Sequence, residues 1–234
     1  MNKLDVPATL RHLRRADPQM AVLIKRHGSP TFQRTRNVFR SLAEAIFYQQ
    51  LHGNAAETIL RRFLALYPRR RFPTPADLLA TPVEQLRAVG LSRQKASYLM
   101  DLAAKSLEGT LQPRRFSQMS DEEVGQALMQ VKGVGPWTVD MFLMFDLNRP
   151  DVLPVGDLGV RKGFQTLFGL DELPGPEEMR QRAEPWRPYR SVAVWYLWRV
   201  AESAGPQPNS RQRGLRTPAG LPLRPGVVRQ LPQV

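Results

Sequence analysis

Apolar residues recur along this chain at spacings of three and four and almost nowhere in alternation, so the pattern predicts helices rather than strands. Asp17-Pro18 reads as a capping side chain followed by proline at the first helical position. The helix it opens, Met20–His27, stops at Gly28. Asn54-Ala55-Ala56-Glu57, Thr81-Pro82-Val83-Glu84 and Ser120-Asp121-Glu122-Glu123 fit the capping box, in which the first side chain and the fourth satisfy each other's backbone N–H groups. Each precedes apolar residues at helical spacing: Ile59, Leu60 and Phe63; Leu86 and Val89; Val124, Leu128 and Val131. Gly90 ends one helix and Ser92 caps the next, which continues through Ala96, Leu99 and Ala103. Behind Val131-Lys132-Gly133-Val134-Gly135 another amphipathic helix starts near Pro136. A last pattern runs from Asp157 through Val160, Phe164 and Leu167 to Gly169. The expected fold class is all-α.

Composition narrows the partners. The 234 residues are 42% hydrophobic, which suits one good core or two small ones. The longest apolar runs, such as Val192–Leu197, are far shorter than a bilayer span. The first residues, MNKLDVPATLRHLRRAD, carry charges where a signal peptide needs an apolar region, so no membrane partner is expected. With no cysteine there is no disulfide, thiolate nucleophile or cysteine-held metal, and His12, His27 and His52 form no metal-ligand spacing. The formal net charge of +13 points to a polyanion, nucleic acid by default, although a basic surface can also serve solubility. Part of that charge sits in residues 204–234, rich in proline, glycine and arginine. This stretch reads as a basic tail that adds nonspecific DNA affinity or has no role.

The stretch Val131–Val160, VKGVGPWTVDMFLMFDLNRPDVLPVGDLGV, holds the candidate chemistry. Glycines at 133 and 135 allow positive φ and let a phosphate oxygen approach bare N–H groups, so Gly133, Val134 and Gly135 are candidate phosphate binders. Pro136 starts a helix whose dipole points at the same anion. The hairpin, the downstream turn Pro154-Val155-Gly156-Asp157, and the later Pro188-Tyr189-Arg190-Ser191 and Trp195-Tyr196-Leu197-Trp198 together resemble the helix-hairpin-helix (HhH-GPD) DNA glycosylases. The branch they resemble is the alkylpurine (3-methyladenine) one, which carries Trp after the hairpin as Trp137 does. The resemblance covers roughly Asp17 to Ala201.

That resemblance implies a two-lobed fold with DNA lying over the cleft. Residues 1–30 and 150–203 would form the terminal lobe and 31–149 a central lobe ending in the hairpin, with no room for the N-terminal β domain of the larger bacterial enzymes. It puts Asp157 at the position of the catalytic aspartate; taken on spacing alone, Asp157 is an ordinary helix N-cap. A lysine that forms a Schiff base in the bifunctional members is replaced by Trp137, so the chemistry implied is hydrolysis without strand cleavage. Trp137, Met141 and Trp198 would line the base pocket, where an electron-rich ring favours a cationic alkylated base. Trp195 and Tyr196 are expected as core and surface. The run Tyr48–Gly53 matches the intercalating loop, with Leu51 as wedge and Gln50 beside it, filling the gap left by an extruded nucleotide. His52 would touch a groove or phosphate.

The family also implies a Na+ or K+ on the backbone carbonyls of Met129, Val131 and Gly133 when DNA is bound, and no required cofactor. The function expected is excision of 3-methyladenine and 7-methylguanine type bases from double-stranded DNA by a monomer. Its place would be the cytoplasm of a bacterium or the nucleus of a eukaryote. A different lesion preference and a noncatalytic DNA-binding role are the alternatives.

Overall fold

In the computed structural model, residues 5–30, 37–51 and 53–204 are described; His52 and the expected tail beyond 204 lie outside them. Among the described residues there are helices and no strands. In chain order the α-helices are α1 (Val6–Ala16), α2 (Pro18–His27), α3 (Val38–Tyr48), α4 (Gly53–Ala65), α5 (Pro75–Leu79), α6 (Val83–Ala88), α7 (Arg93–Leu107), α8 (Asp121–Met129), α9 (Pro136–Phe145), α10 (Leu158–Phe168), α11 (Pro176–Arg182) and α12 (Arg190–Ala204). A short 3-10 turn, Glu184–Trp186, precedes α12. The described residues divide into two compact units, one of 37–147 and one of 5–30 with 148–204.

The first unit packs α3 to α9 around Phe47 and Phe63, whose rings lie 4.9 Å apart, and around Leu99, Leu102, Phe116 and Phe142, all buried. Phe116 and Phe142 meet edge to face at 5.7 Å. Such pairs add directional preference to the general gain from removing apolar surface from water. The Ser120–Glu123 capping box is present in full, and Ser92 caps α7 through the Lys95 N–H. Two expected boxes are corrected. Helix α4 already begins at Gly53, so Asn54 lies inside it rather than at its cap. Thr81 does not cap α6, whose N-cap is Pro82, because its hydroxyl is taken by the Tyr67 hydroxyl and the Asp77 carbonyl. A further box, Thr74 with Asp77 in place of Glu at the fourth position, opens α5.

The second unit is built on α10, α12 and the N-terminal pair α1 and α2. Asp17 caps α2 as expected, and its second carboxylate oxygen accepts the Trp186 indole N–H at 2.8 Å. Helix α12 is buried all round from Ser191 to Trp198. Expected partly at the surface, the pair Trp195 and Tyr196 is instead 8% and 0% exposed, and the Tyr196 hydroxyl donates to the Gly28 carbonyl at 2.6 Å. A phenol can enter a core when its O–H finds an acceptor, which is why an amphipathic reading of this helix fails.

Candidate active site

The turn Pro154–Asp157 closes with the Asp157 N–H on the Pro154 carbonyl at 3.0 Å and delivers Asp157 to the start of α10. Its Oδ1 accepts the Val160 N–H at 2.7 Å, the bond of an ordinary N-cap. The same oxygen accepts a second donor, the Trp198 indole N–H at 2.9 Å, from α12. Asp157 is 7% exposed, and a carboxylate this deep is costly unless hydrogen-bonded. Two donors from two helices fix its orientation.

Trp198, expected in the base pocket, lies directly against Asp157. Its ring is wholly buried, and its N–H is held against the Asp157 carboxylate. Two glycines make that contact possible, and sequence reading passed over both. A Cβ at Gly159 would come 2.9 Å from Trp198 Cδ1 and 3.1 Å from Asp157 Oδ1; one at Gly163 would come 2.4 Å from the Leu197 carbonyl oxygen. Four residues apart on α10, they form a bare strip against which α12 lies. The signal, glycine at i and i+4 inside a helix, was present in the sequence.

In the first unit the hairpin follows α8. Gly133 takes a positive φ of 79°, whereas Gly135 is extended at φ −111°, ψ −179°, so the expectation of positive φ holds for the first glycine and is corrected for the second. Gly133 has another constraint, since a Cβ there would lie 2.2 Å from the Tyr98 ring. At Gly135 a Cβ would meet nothing within 4 Å. The Val134 N–H closes the turn on the Val131 carbonyl at 3.1 Å, which takes it out of the set of anion donors. The N–H groups of Gly133 and Gly135 take no protein acceptor among the described residues. Gly135 is the N-cap of α9 and Pro136 its first residue.

Trp137 and Met141, one turn apart on α9, are both half-buried, while Thr138, Val139, Phe142 and Leu143 face the core. Of the carbonyls expected to face a cation when DNA is bound, that of Gly133 accepts the Gln49 side-chain amide at 2.7 Å and that of Val131 accepts the Val134 N–H at 3.1 Å.

At the end of α3 the chain turns through Gln50, exposed and at φ 53°, to half-buried Leu51. A non-glycine residue in the left-handed region stores strain and is found where a loop must present a side chain. Lys95 steadies this loop, donating to the Phe47 and Gln49 carbonyls at 2.7 and 2.6 Å, and its burial lowers its pKa to about 8. Gln49, Gln50, Ser92, Gln94, Lys95, Tyr98 and Gly133 surround a hollow of about 250 Å³.

Residues 43–188 match the HhH-GPD superfamily of base excision DNA repair proteins. DNA-3-methyladenine glycosylase 1 of Schizosaccharomyces pombe is 34% identical over 197 residues, 82% of this chain and 86% of its own length. The solved structure of the S. pombe 3-methyladenine DNA glycosylase in complex with abasic DNA, 33% identical, superposes with a TM-score of 0.75 over 84% of this chain and 98% of that one. A DNA-3-methyladenine glycosidase from Bacillus halodurans, 31% identical, gives a TM-score of 0.75 over 86% and 91%.

Proposed function

The chain belongs to the HhH-GPD superfamily of base excision DNA repair proteins, and we propose that it is a monofunctional DNA glycosylase that excises alkylated bases of the 3-methyladenine and 7-methylguanine class. The observation that carries the mechanism is the buried Asp157 carboxylate, oriented by the Val160 N–H and the Trp198 indole. Glycoside hydrolysis usually needs a second carboxyl to protonate the leaving group. A purine alkylated on a ring nitrogen already carries positive charge and leaves with the electron pair of the C1′–N bond. Asp157 then has two tasks, to stabilise the oxocarbenium-like sugar and to position the water whose oxygen bonds to C1′. The proton lost by that water passes to solvent, and an abasic sugar remains in an uncut strand.

Trp137 and Met141 supply pocket surface, and the fixed Trp198 supports the carboxylate. Trp137 stands where a Schiff-base lysine would allow strand cleavage. Leu51 fills the stack after extrusion, and the N–H groups of Gly133 and Gly135 bind a phosphate at the start of α9. The test is incubation with methylated duplex DNA and chromatography of the released bases. Free 3-methyladenine or 7-methylguanine is expected, with strand breaks appearing only after hot alkali and no adduct trapped by borohydride. Intact substrate would defeat the reading, and a trapped adduct would defeat its monofunctional half.

The hairpin makes a separate prediction. Because Gly135 is extended and its Cβ direction open, Gly135→Val should fold normally while its side chain blocks the phosphate. Affinity for undamaged duplex should fall, and a salt titration should lose a slope of about 0.9 for each phosphate contact removed. Wild-type affinity in the folded variant would take the hairpin out of the interface.

A further inference from the structure

Three residues spaced three apart on α7 each hold a different part of the DNA-handling surface of the first unit. Lys95 donates to the Phe47 and Gln49 carbonyls at the end of α3, where its positive charge also suits the negative end of that helix. Tyr98 lies so close under Gly133 that no Cβ could fit between them. Asp101 Oδ2 accepts the Lys132 N–H at 2.8 Å. Gln49 completes the bracing by donating from its side chain to the Gly133 carbonyl at 2.7 Å, so the residue before the strained Gln50 is tied to the hairpin itself.

Lys95, Tyr98 and Asp101 lie on nearly one face, within a helical rise of about 9 Å, and a helix is stiff over that length. We propose that this face of α7 is a gauge: it sets the separation between the loop that carries Leu51 and the hairpin, so that gripping a phosphate and inserting the wedge are coupled, with Lys95 and Gln49 as positioning residues. The inference rests on the glycosylase reading and on Leu51 as the wedge. Neither residue is needed at the reacting sugar. Their loss leaves the hairpin able to hold DNA but releases the loop from its register, so base extrusion fails while the grip persists.

Two variants separate the effects. Lys95→Met keeps the aliphatic stem and removes the ammonium; Gln49→Met keeps the length and removes the amide donor to the Gly133 carbonyl without adding charge. For each, affinity and salt slope on undamaged duplex are measured beside the emission of 2-aminopurine placed at the extruded position under saturating protein. The expected result is a loss of about tenfold in the emission gain, with undamaged affinity held within about twofold. Excision of an alkylated base in a matched pair should fall more than excision of the same base opposite a mismatch, which is already easy to extrude. Wild-type emission in both folded variants would overturn the gauge. So would an undamaged affinity that falls by the same factor as the emission, since α7 would then serve the grip alone. Failure of the glycosylase reading would show separately, as a wild-type protein that gives the emission gain but releases no base.

Discussion

Asp157→Asn is expected to leave a folded protein that binds DNA and excises alkylated bases slower by about 10²–10³-fold, the usual cost of removing one group aimed at developing charge. The geometry makes this substitution unusually clean. The Val160 and Trp198 N–H groups both bond to Oδ1, and an asparagine carbonyl oxygen can accept them in the same way. Asparagine also ranks with aspartate as an N-cap, so helix α10 keeps its start. What disappears is the negative charge. If Asp157 served only as a cap, the melting temperature and the turnover would both stay close to wild type. Single-turnover excision of 7-methylguanine, read beside thermal unfolding, separates the two roles. Full activity in a stable Asp157→Asn protein would remove the residue on which the chemistry rests.

Gly159→Val should damage both stability and activity. The new Cβ alone would stand 2.9 Å from Trp198 Cδ1 and 3.1 Å from Asp157 Oδ1, and neither neighbour is the free end of a flexible chain. The indole cannot retreat, since it is wholly buried and α12 is packed against α10 at Gly163 as well. Overpacking of this kind costs about 1–3 kcal/mol. The larger effect is on rate. A carboxylate displaced by about 1 Å loses about 10²-fold in a reaction that depends on its placement. Denaturant unfolding together with single-turnover excision checks both halves, and a Gly159→Val protein with normal excision would show that the Trp198 contact does not position Asp157.

Much of this organisation is legible in the sequence, for local reasons. Capping at Asp17, Ser92, Ser120 and Asp157 depends on a few neighbouring residues, and the structure carries all four caps. The Thr81 box fails because a tertiary partner, Tyr67, competes for the hydroxyl, and no local pattern records that competition. Asp157 could be singled out by its turn and by resemblance, yet its partner's part could not. In the sequence Trp198 reads as a ring offered to a base; that it is also a donor to the carboxylate depends on the bare glycine strip on α10. Lys95 is illegible for the same reason: its acceptors, Phe47 and Gln49, are more than forty residues away and are backbone atoms, which carry no sequence signature.

The unit that carries Asp157 draws its helices from two distant stretches of chain. Trp186 reaches back 169 residues to Asp17, and Tyr196 reaches back 168 to Gly28. During synthesis α1 and α2 leave the ribosome long before the residues they pack against exist, whereas residues 37–147 form a continuous stretch that can condense as it emerges. Leu10, Leu13, Met20 and Ile24, buried in the finished unit, must wait through that interval with their apolar faces in water, and the loop that finally closes is among the longest the chain allows. The aspartate-bearing unit is thus the last to be completed. A nascent chain halted before Trp186 would carry a finished hairpin but lack α12, and with it the indole that holds the Asp157 carboxylate.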